Sequence, residues 1–129
     1  MSVLINVSVG ELWDKYTILL IKRDKVDSVD RRRLVEMEIA ALEPVISQFV
    51  YGDNPLFLQL KAVNECLWNI EDKIRNKEAE LQFDGEFIEL ARCVYFTNDK
   101  RAEIKRQIND EFNSVIREVK CYAVYMQEK

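Results

Sequence analysis

The sequence predicts an all-α, single-domain helical bundle of four to five helices with a short extended N-terminal arm. Three observations carry that expectation. Only three glycines and two prolines interrupt the chain. Between those breaks apolar residues recur at helical steps of three and four, and capping residues stand ahead of the periodic runs. The size agrees, since 129 residues, 48% of them hydrophobic, fill one core and leave a charged surface.

Residues 1–7 alternate weakly and are β-prone, an extended arm or short strand. Ser8, three residues before Glu11, matches a capping box and starts a helix over residues 9–27, with Leu12, Tyr16, Leu19 and Leu20 facing inward. Gly10 in that first turn costs little. Ser28 or Asp30 caps a second helix over 30–50, whose apolar side is Leu34, Met37, Ala41, Val45 and Phe49. Pro44 removes a backbone donor and crowds the preceding turn, which predicts a kink or break at residues 40–43. Gly52-Asp53-Asn54-Pro55 then reads as stop, turn, cap and first helical position.

The third helix, over 55–82, has the strongest periodicity: Leu56, Leu60, Val63, Leu67, Ile70 and Ile74 alternate steps of four and three, as in a coiled-coil seam. Asp84-Gly85 marks a turn and caps a short fourth helix over 85–96, carrying Phe87, Leu90, Ala91, Val94 and Tyr95. Thr97 or Asn98 caps a fifth over 98–126, with Ile104, Ile108, Phe112, Val115, Val119, Tyr122 and Met126 on one side.

Charge and composition narrow the function classes. Lysine and arginine total 19 against 23 carboxylates, a formal charge of −4, which disfavours a phosphate backbone or an anionic bilayer as partner. The basic run Lys100 to Arg106 is interrupted by Glu103 and preceded by Asp99. No apolar run is long enough to span a bilayer and the opening residues lack a signal peptide's pattern, so a cytoplasmic protein is expected. Cys66, Cys93 and Cys121 are odd in number and widely spaced, the pattern of reduced thiols on helix faces. Histidine is absent, which removes Ser-His and Cys-His nucleophiles and histidine-bound zinc. No catalytic residue, metal site or cofactor is assigned.

A polar stripe runs beside the third helix's apolar seam: Asn64, Trp68, Glu71 and Arg75 share one face. Asn98, Arg101, Lys105 and Asn109 repeat that geometry on the last helix, with Arg92 just upstream. Glu11, Asp14 and Lys15 form a third polar group on the first helix. Converging, these would build a pocket with cationic walls, fixed by Glu71 and Asp72 and floored by Trp68, suited to a carboxylate or phosphate. As solvated flanks they would be interhelical salt bridges, each contributing about 0 to 1 kcal/mol when exposed. Trp13 and Trp68 read more readily as core than as ligand platforms. Glu11 with Asp14, Glu86 with Glu89, and adjacent Glu71 and Asp72 offer oxygens of the type magnesium takes. The full two-helix pattern of the all-α nucleotide pyrophosphohydrolases is not matched.

Leu12, Asp14, Ile18, Leu19 and Arg23 resemble the opening helix of the all-helical chorismate mutases, which use arginines and a lysine to hold a dicarboxylate. A broader resemblance rests on Gly10-Glu11-Leu12-Trp13-Asp14-Lys15 with Thr17-Ile18-Leu19, on Val63-Asn64 through Leu67-Trp68 and Ile70-Glu71-Asp72 to Ile74-Arg75, and on Phe87-Ile88-Glu89-Leu90-Ala91-Arg92. It continues through Val94-Tyr95 and Asn98-Asp99 to Arg101-Ala102, Ile104-Lys105-Arg106 and Ile108-Asn109. Together these are similar to an uncharacterised family of small bacterial and phage proteins. The resemblance implies no activity. It does imply that Glu11, Asp14, Lys15, Asn64, Glu71, Arg75, Arg92, Asn98 and Arg101 act together.

Two readings follow. In the first the chain is a noncatalytic, self-associating module, a homodimer, whose shared surface comes from the third or fifth helix and the arm. In the second it is an enzyme or binding protein for an anionic small metabolite. That site would use Arg75, Arg92, Arg101 and Lys105, with Glu71 or Glu11 as acid or base.

Overall fold

The computed structural model describes residues 1–125, which form four helices: α1 (Val9–Lys25), α2 (Val29–Ile46), α3 (Pro55–Ala79) and α4 (Gly85–Glu111). Each opens on a cap legible in the sequence. The side chains of Ser8, Ser28, Asn54 and Asp84 accept from the backbone N–H groups of Glu11, Arg31, Leu56 and Phe87. The family of folds is all-α, one bundle with a single core.

α1 lies at its centre and packs against all three other helices, α3 and α4 pack along each other, and α2 packs against α1 alone. The composition of α1 explains its place. Leu12, Trp13, Tyr16, Thr17, Leu19 and Ile21 are buried at positions that go most of the way round the helix, and such a helix must be covered on more than one side. Trp13 is fully buried and meets the rings of Phe49, Phe57 and Phe112 edge-on at centroid distances of 6.2, 5.6 and 5.0 Å. At about 1.5 Å per residue α3 and α4 reach about 37 and 40 Å, longer than α1. From Glu65 on α3 to Phe96 on α4 no residue is buried, so the far half of this hairpin has cover from its own two helices only.

Of the arm and the short strand expected for residues 1–7 the strand drops out, and no strand exists among the described residues. Elsewhere helix bounds and faces differ from expectation. The second helix is not broken at 40–43, because Pro44 falls in its last turn and the chain leaves at Ser47. Its core face is Val35, Ile39, Leu42 and Ile46, while Leu34, Met37 and Val45 point outward. Phe49 lies past the helix in the turn that covers Trp13. The two stripes of α2 are offset by one position, or two at Met37 and Ile39, and periodicity alone cannot choose between them.

The predicted fourth and fifth helices are one. Phe87, Leu90, Val94, Thr97, Arg101, Ile104 and Ile108 hold one face in steps of three and four, with no glycine or proline to stop them at Thr97. That helix also ends at Glu111, not at residue 126. Asn113 takes φ 50°, Asn113 N donates to Asp110 O, and Ser114 N donates to Asn109 O, a Schellman reversal. Val115, Val119 and Tyr122, expected on its buried side, are exposed, and Met126 lies outside the described residues. Leu81 (φ 55°) makes the same reversal after α3, where Leu81 N donates to Glu78 O and Gln82 N to Lys77 O.

Candidate functional site

The first turn of α1 leaves three backbone N–H groups without helical partners. Val9 N donates to Ser114 Oγ (3.0 Å), Gly10 N to Asn109 Oδ1 (2.7 Å) and Glu11 N to Ser8 Oγ (3.0 Å). The Ser8 hydroxyl in turn donates to Glu118 Oε1 (2.6 Å), and Asn109 Nδ2 donates to Glu118 Oε2 (3.2 Å). Reversal of the chain after α4 therefore delivers Ser114 and Glu118 to the start of α1, where a negative charge also faces the positive end of the helix dipole. This seat is tight. A Cβ on Gly10 would stand 2.8 Å from both Lys105 O and Asn109 Oδ1.

One turn further along α1 sits Asp14, buried on the face toward α3 and α4. Arg101 grips it with two nitrogens, Nε to Oδ1 at 2.9 Å and Nη2 to Oδ2. From α3, Asn64 Nδ2 donates to Asp14 Oδ1 (3.0 Å) and to Thr17 Oγ1 (2.9 Å), and the Thr17 hydroxyl donates to the Asp14 backbone carbonyl (2.8 Å). Lys105 Nζ pairs with Glu11 Oε2 at 2.7 Å and stands 3.8 Å from Asp14 Oδ2. Burial alone would push the Asp14 carboxyl up. The Arg101 and Asn64 hydrogen bonds and the charges of Arg101 and Lys105 outweigh it and hold the group below its ordinary 3.8. Glu118 behaves alike: burial raises it, but Ser8, Lys105 and Asn109 bring it below 4.5.

Of the expected site residues, Glu11, Asp14, Asn64, Asn98, Arg101 and Lys105 meet in this cluster, Asn98 through a 3.5 Å approach of Arg101 Nη1 to its Oδ1. Arg75 and Arg92 do not. Arg75 is exposed and pairs with Glu71 on its own helix (3.3 Å), and Arg92 pairs with Glu89 (3.1 Å) while its guanidinium lies 5.4 Å from the Phe96 ring centre. Lys15 pairs with Glu38 of α2 across an exposed surface. A shallow groove of about 340 Å³ runs beside the cluster. It is lined by Ile18, Asn64, Leu67, Trp68, Glu71, Asp72, Arg75 and Arg101, so the α3 stripe does open onto one concavity. Trp68 is half-buried in its wall, not in the core.

The sequence held a signal that separates these cations. Arg75 and Arg92 carry a glutamate three or four residues earlier on the same face, whereas Arg101 and Lys105 have none and reach across to α1. Ser8 and Asn109 were visible as cap and stripe, but Thr17, Ser114 and Glu118 were missed. For Ser114 and Glu118 the cue was Asn113, a residue suited to the left-handed turn that brings them back. Among the described residues no group of three or more Cys, Asp or Glu is placed to hold a metal ion.

Two outcomes test the cluster. Gly10→Ala should cost about 2 kcal/mol, because the clash is partly with backbone, whereas Gly85→Ala, with nothing within 4 Å of its Cβ position, should change stability little; urea denaturation reads both. Asp14→Asn should cost about 3 kcal/mol at neutral pH by leaving Arg101 without its counter-charge. Because the folded pKa of Asp14 is depressed, its contribution is complete above 3.8 and is lost as pH falls below it. The gap between wild type and Asp14→Asn should therefore narrow on acidification, in urea curves compared at about pH 7 and about pH 3.

No curated protein and no solved structure matches the chain. A family model does, over a stretch that takes in every residue of the cluster from Ser8 to Glu118. It is described as a family of unknown function, DUF6165, it covers residues 3–128, and the chain belongs to that family.

Proposed function

We propose that this protein is a self-associating, noncatalytic helical module of the cytoplasm, a homodimer whose polar cluster locks the bundle. The observation that carries the reading is apolar surface without a cover. Leu34 and Met37 on α2 and Ile88 on α4 are each more than half exposed, although they stand on ordered helices. The cluster itself supports a structural role, since Asp14 and Glu11 are met by Arg101 and Lys105 within the chain. Asp14, whose carboxyl is held below its ordinary value by Arg101 and Asn64, is a poor proton donor or acceptor near neutrality. No helix among the described residues is long and apolar enough to cross a membrane. Light scattering at micromolar concentration should return twice the 15.3 kDa chain mass, and a strict monomer would refute the reading.

A second reading is favoured by the groove, where Trp68 stands beside Glu71, Arg75 and Arg101. Arg75 is paired with Glu71 and Arg101 with Asp14, so an anion there competes with those carboxylates for either guanidinium. A small anion with an apolar body would suit it. A ligand at a hundred times its dissociation constant adds about 2.7 kcal/mol of stability. Thermal-shift measurements with dicarboxylates, sugar phosphates and nucleotides, with and without magnesium, should show a rise that Trp68→Ala abolishes; no rise with any of them removes this reading.

A further inference from the structure

We propose that the N-terminal arm of one copy of this chain lies as a strand along the C-terminal segment of a second copy, and that the exchange is reciprocal. The proposal rests on the self-association reading and names its surface.

Residues 1–7 precede the cap of α1 as extended chain and carry no charged side chain. Paired as a strand, Met1, Val3, Ile5 and Val7 would share one face, with Ser2, Leu4 and Asn6 on the other. Both faces are open: Val3 is 74% exposed, Leu4 98% and Ile5 76%. Among the described residues no backbone–backbone hydrogen bond involves any of the seven. Holding such a segment extended costs about 1 to 2 kcal/mol per residue in backbone entropy, which only a partner supplying hydrogen bonds and apolar contact offsets.

Residues 115–125 offer the matching surface. After the reversal at Asn113 they run back along α4, tied down by side chains: Glu118 to Ser8 and Asn109, Arg117 to Asp110, and both Lys120 and Tyr125 to Asp99. The Tyr125 ring also packs on those of Tyr95 (5.1 Å) and Phe96 (5.5 Å). These ties fix the path of the segment and leave its main chain unused, since among the described residues no backbone–backbone hydrogen bond starts or ends in it. Its apolar side chains turn outward: Val119 is 82% exposed, Tyr122 82% and Val124 84%. An anchored, extended chain with an open edge and apolar side chains is a template on which another strand pairs.

Length and charge say which occupant fits. From Val119 to Tyr125 the lane is as long as the arm, and its one charged side chain, Lys120, is held by Asp99. An uncharged arm suits it. The arm of the same chain does not take it: Ser8 is bonded to Glu118 where arm and lane begin, yet Leu4 and Val124 both stay in solvent. Each chain therefore has one strand to give and one lane to fill. A foreign strand would fill the lane and leave the arm bare, whereas a second copy related by a two-fold axis satisfies both at once and closes the assembly.

The experiment is light scattering across a concentration series on the full chain and its variants, followed by cross-linking. The wild type should be a dimer. Val3→Asp with Ile5→Asp, and separately Val119→Asp with Val124→Asp, should each raise the dimer dissociation constant at least tenfold with an unchanged helical circular dichroism signal, since all four side chains are already exposed. Positions 4 and 122 are the middles of arm and lane, so they meet whether the strands run parallel or antiparallel. In a chain carrying Leu4→Cys and Tyr122→Cys with Cys66→Ser, Cys93→Ser and Cys121→Ser, mild oxidation should join position 4 of one copy to position 122 of another. The product is a covalent dimer on a non-reducing gel, its link identified by peptide mapping. A wild-type monomer overturns self-association and the exchange together. A wild-type dimer that neither aspartate pair weakens leaves self-association standing and overturns this surface. A disulfide closed within one chain, or no link between positions 4 and 122, overturns the exchange.

Discussion

Asp14 stands on the helix that touches the other three, and its carboxylate is bound from both members of the long hairpin, by Asn64 of α3 and Arg101 of α4. Taking a carboxylate out of water costs several kcal/mol unless charge and hydrogen bonds replace the water, and here both do. The gain is mostly in register. Apolar seams of period three and four tolerate sliding by a turn, since one leucine fills the place of the next. A two-pronged guanidinium grip does not, because a slip of one turn would leave two opposite charges buried and apart. Polar residues thus settle where the apolar residues of α1, α3 and α4 must meet.

The second constraint is the close approach of α1 and α4, for which Gly10 is the enabling residue. With no side chain there, the α1 backbone comes near enough for Asn109 to cap Gly10 N and for Lys105 to reach Glu11. The same approach brings the first turn of α1 within reach of Ser114 and Glu118. One missing Cβ, one asparagine side chain and one left-handed turn at Asn113 then satisfy the N–H groups of Val9 and Gly10, and the local cap Ser8 takes that of Glu11. Capping by residues distant in sequence makes the helix start a tertiary feature.

Much of this was legible in the residues, and what was not has definite causes. Caps are local, so Ser8, Asn54 with Pro55, and Asp84 were legible, and Ser28 was one of two choices with Asp30. Stops and faces are not local. Thr97 and Asn98 can cap a helix but need not, and only the continuous seam through them shows that α4 runs on. The face of α2 was misread because it has two apolar stripes and a single neighbour. In the site, the spacing of Asn64, Arg101 and Lys105 marked their shared faces but not their partners. Arg75 and Arg92 fell out because a glutamate one turn earlier satisfies each at short range, with less ordering than an interhelical contact requires.

The bonds that finish α1 span 99 residues from Gly10 to Asn109, 105 from Val9 to Ser114 and 110 from Ser8 to Glu118. During synthesis, then, α1 and α2 leave the ribosome with the amide groups of Val9 and Gly10 still hydrated and with Asp14 lacking Arg101. The hairpin of α1 and α2 can form early, but its central helix is completed last, when the end of α4 arrives. A ribosome pause before residue 101 would hold Trp13 and Asp14 together on an unfinished surface, the state in which a nascent chain has most need of a chaperone.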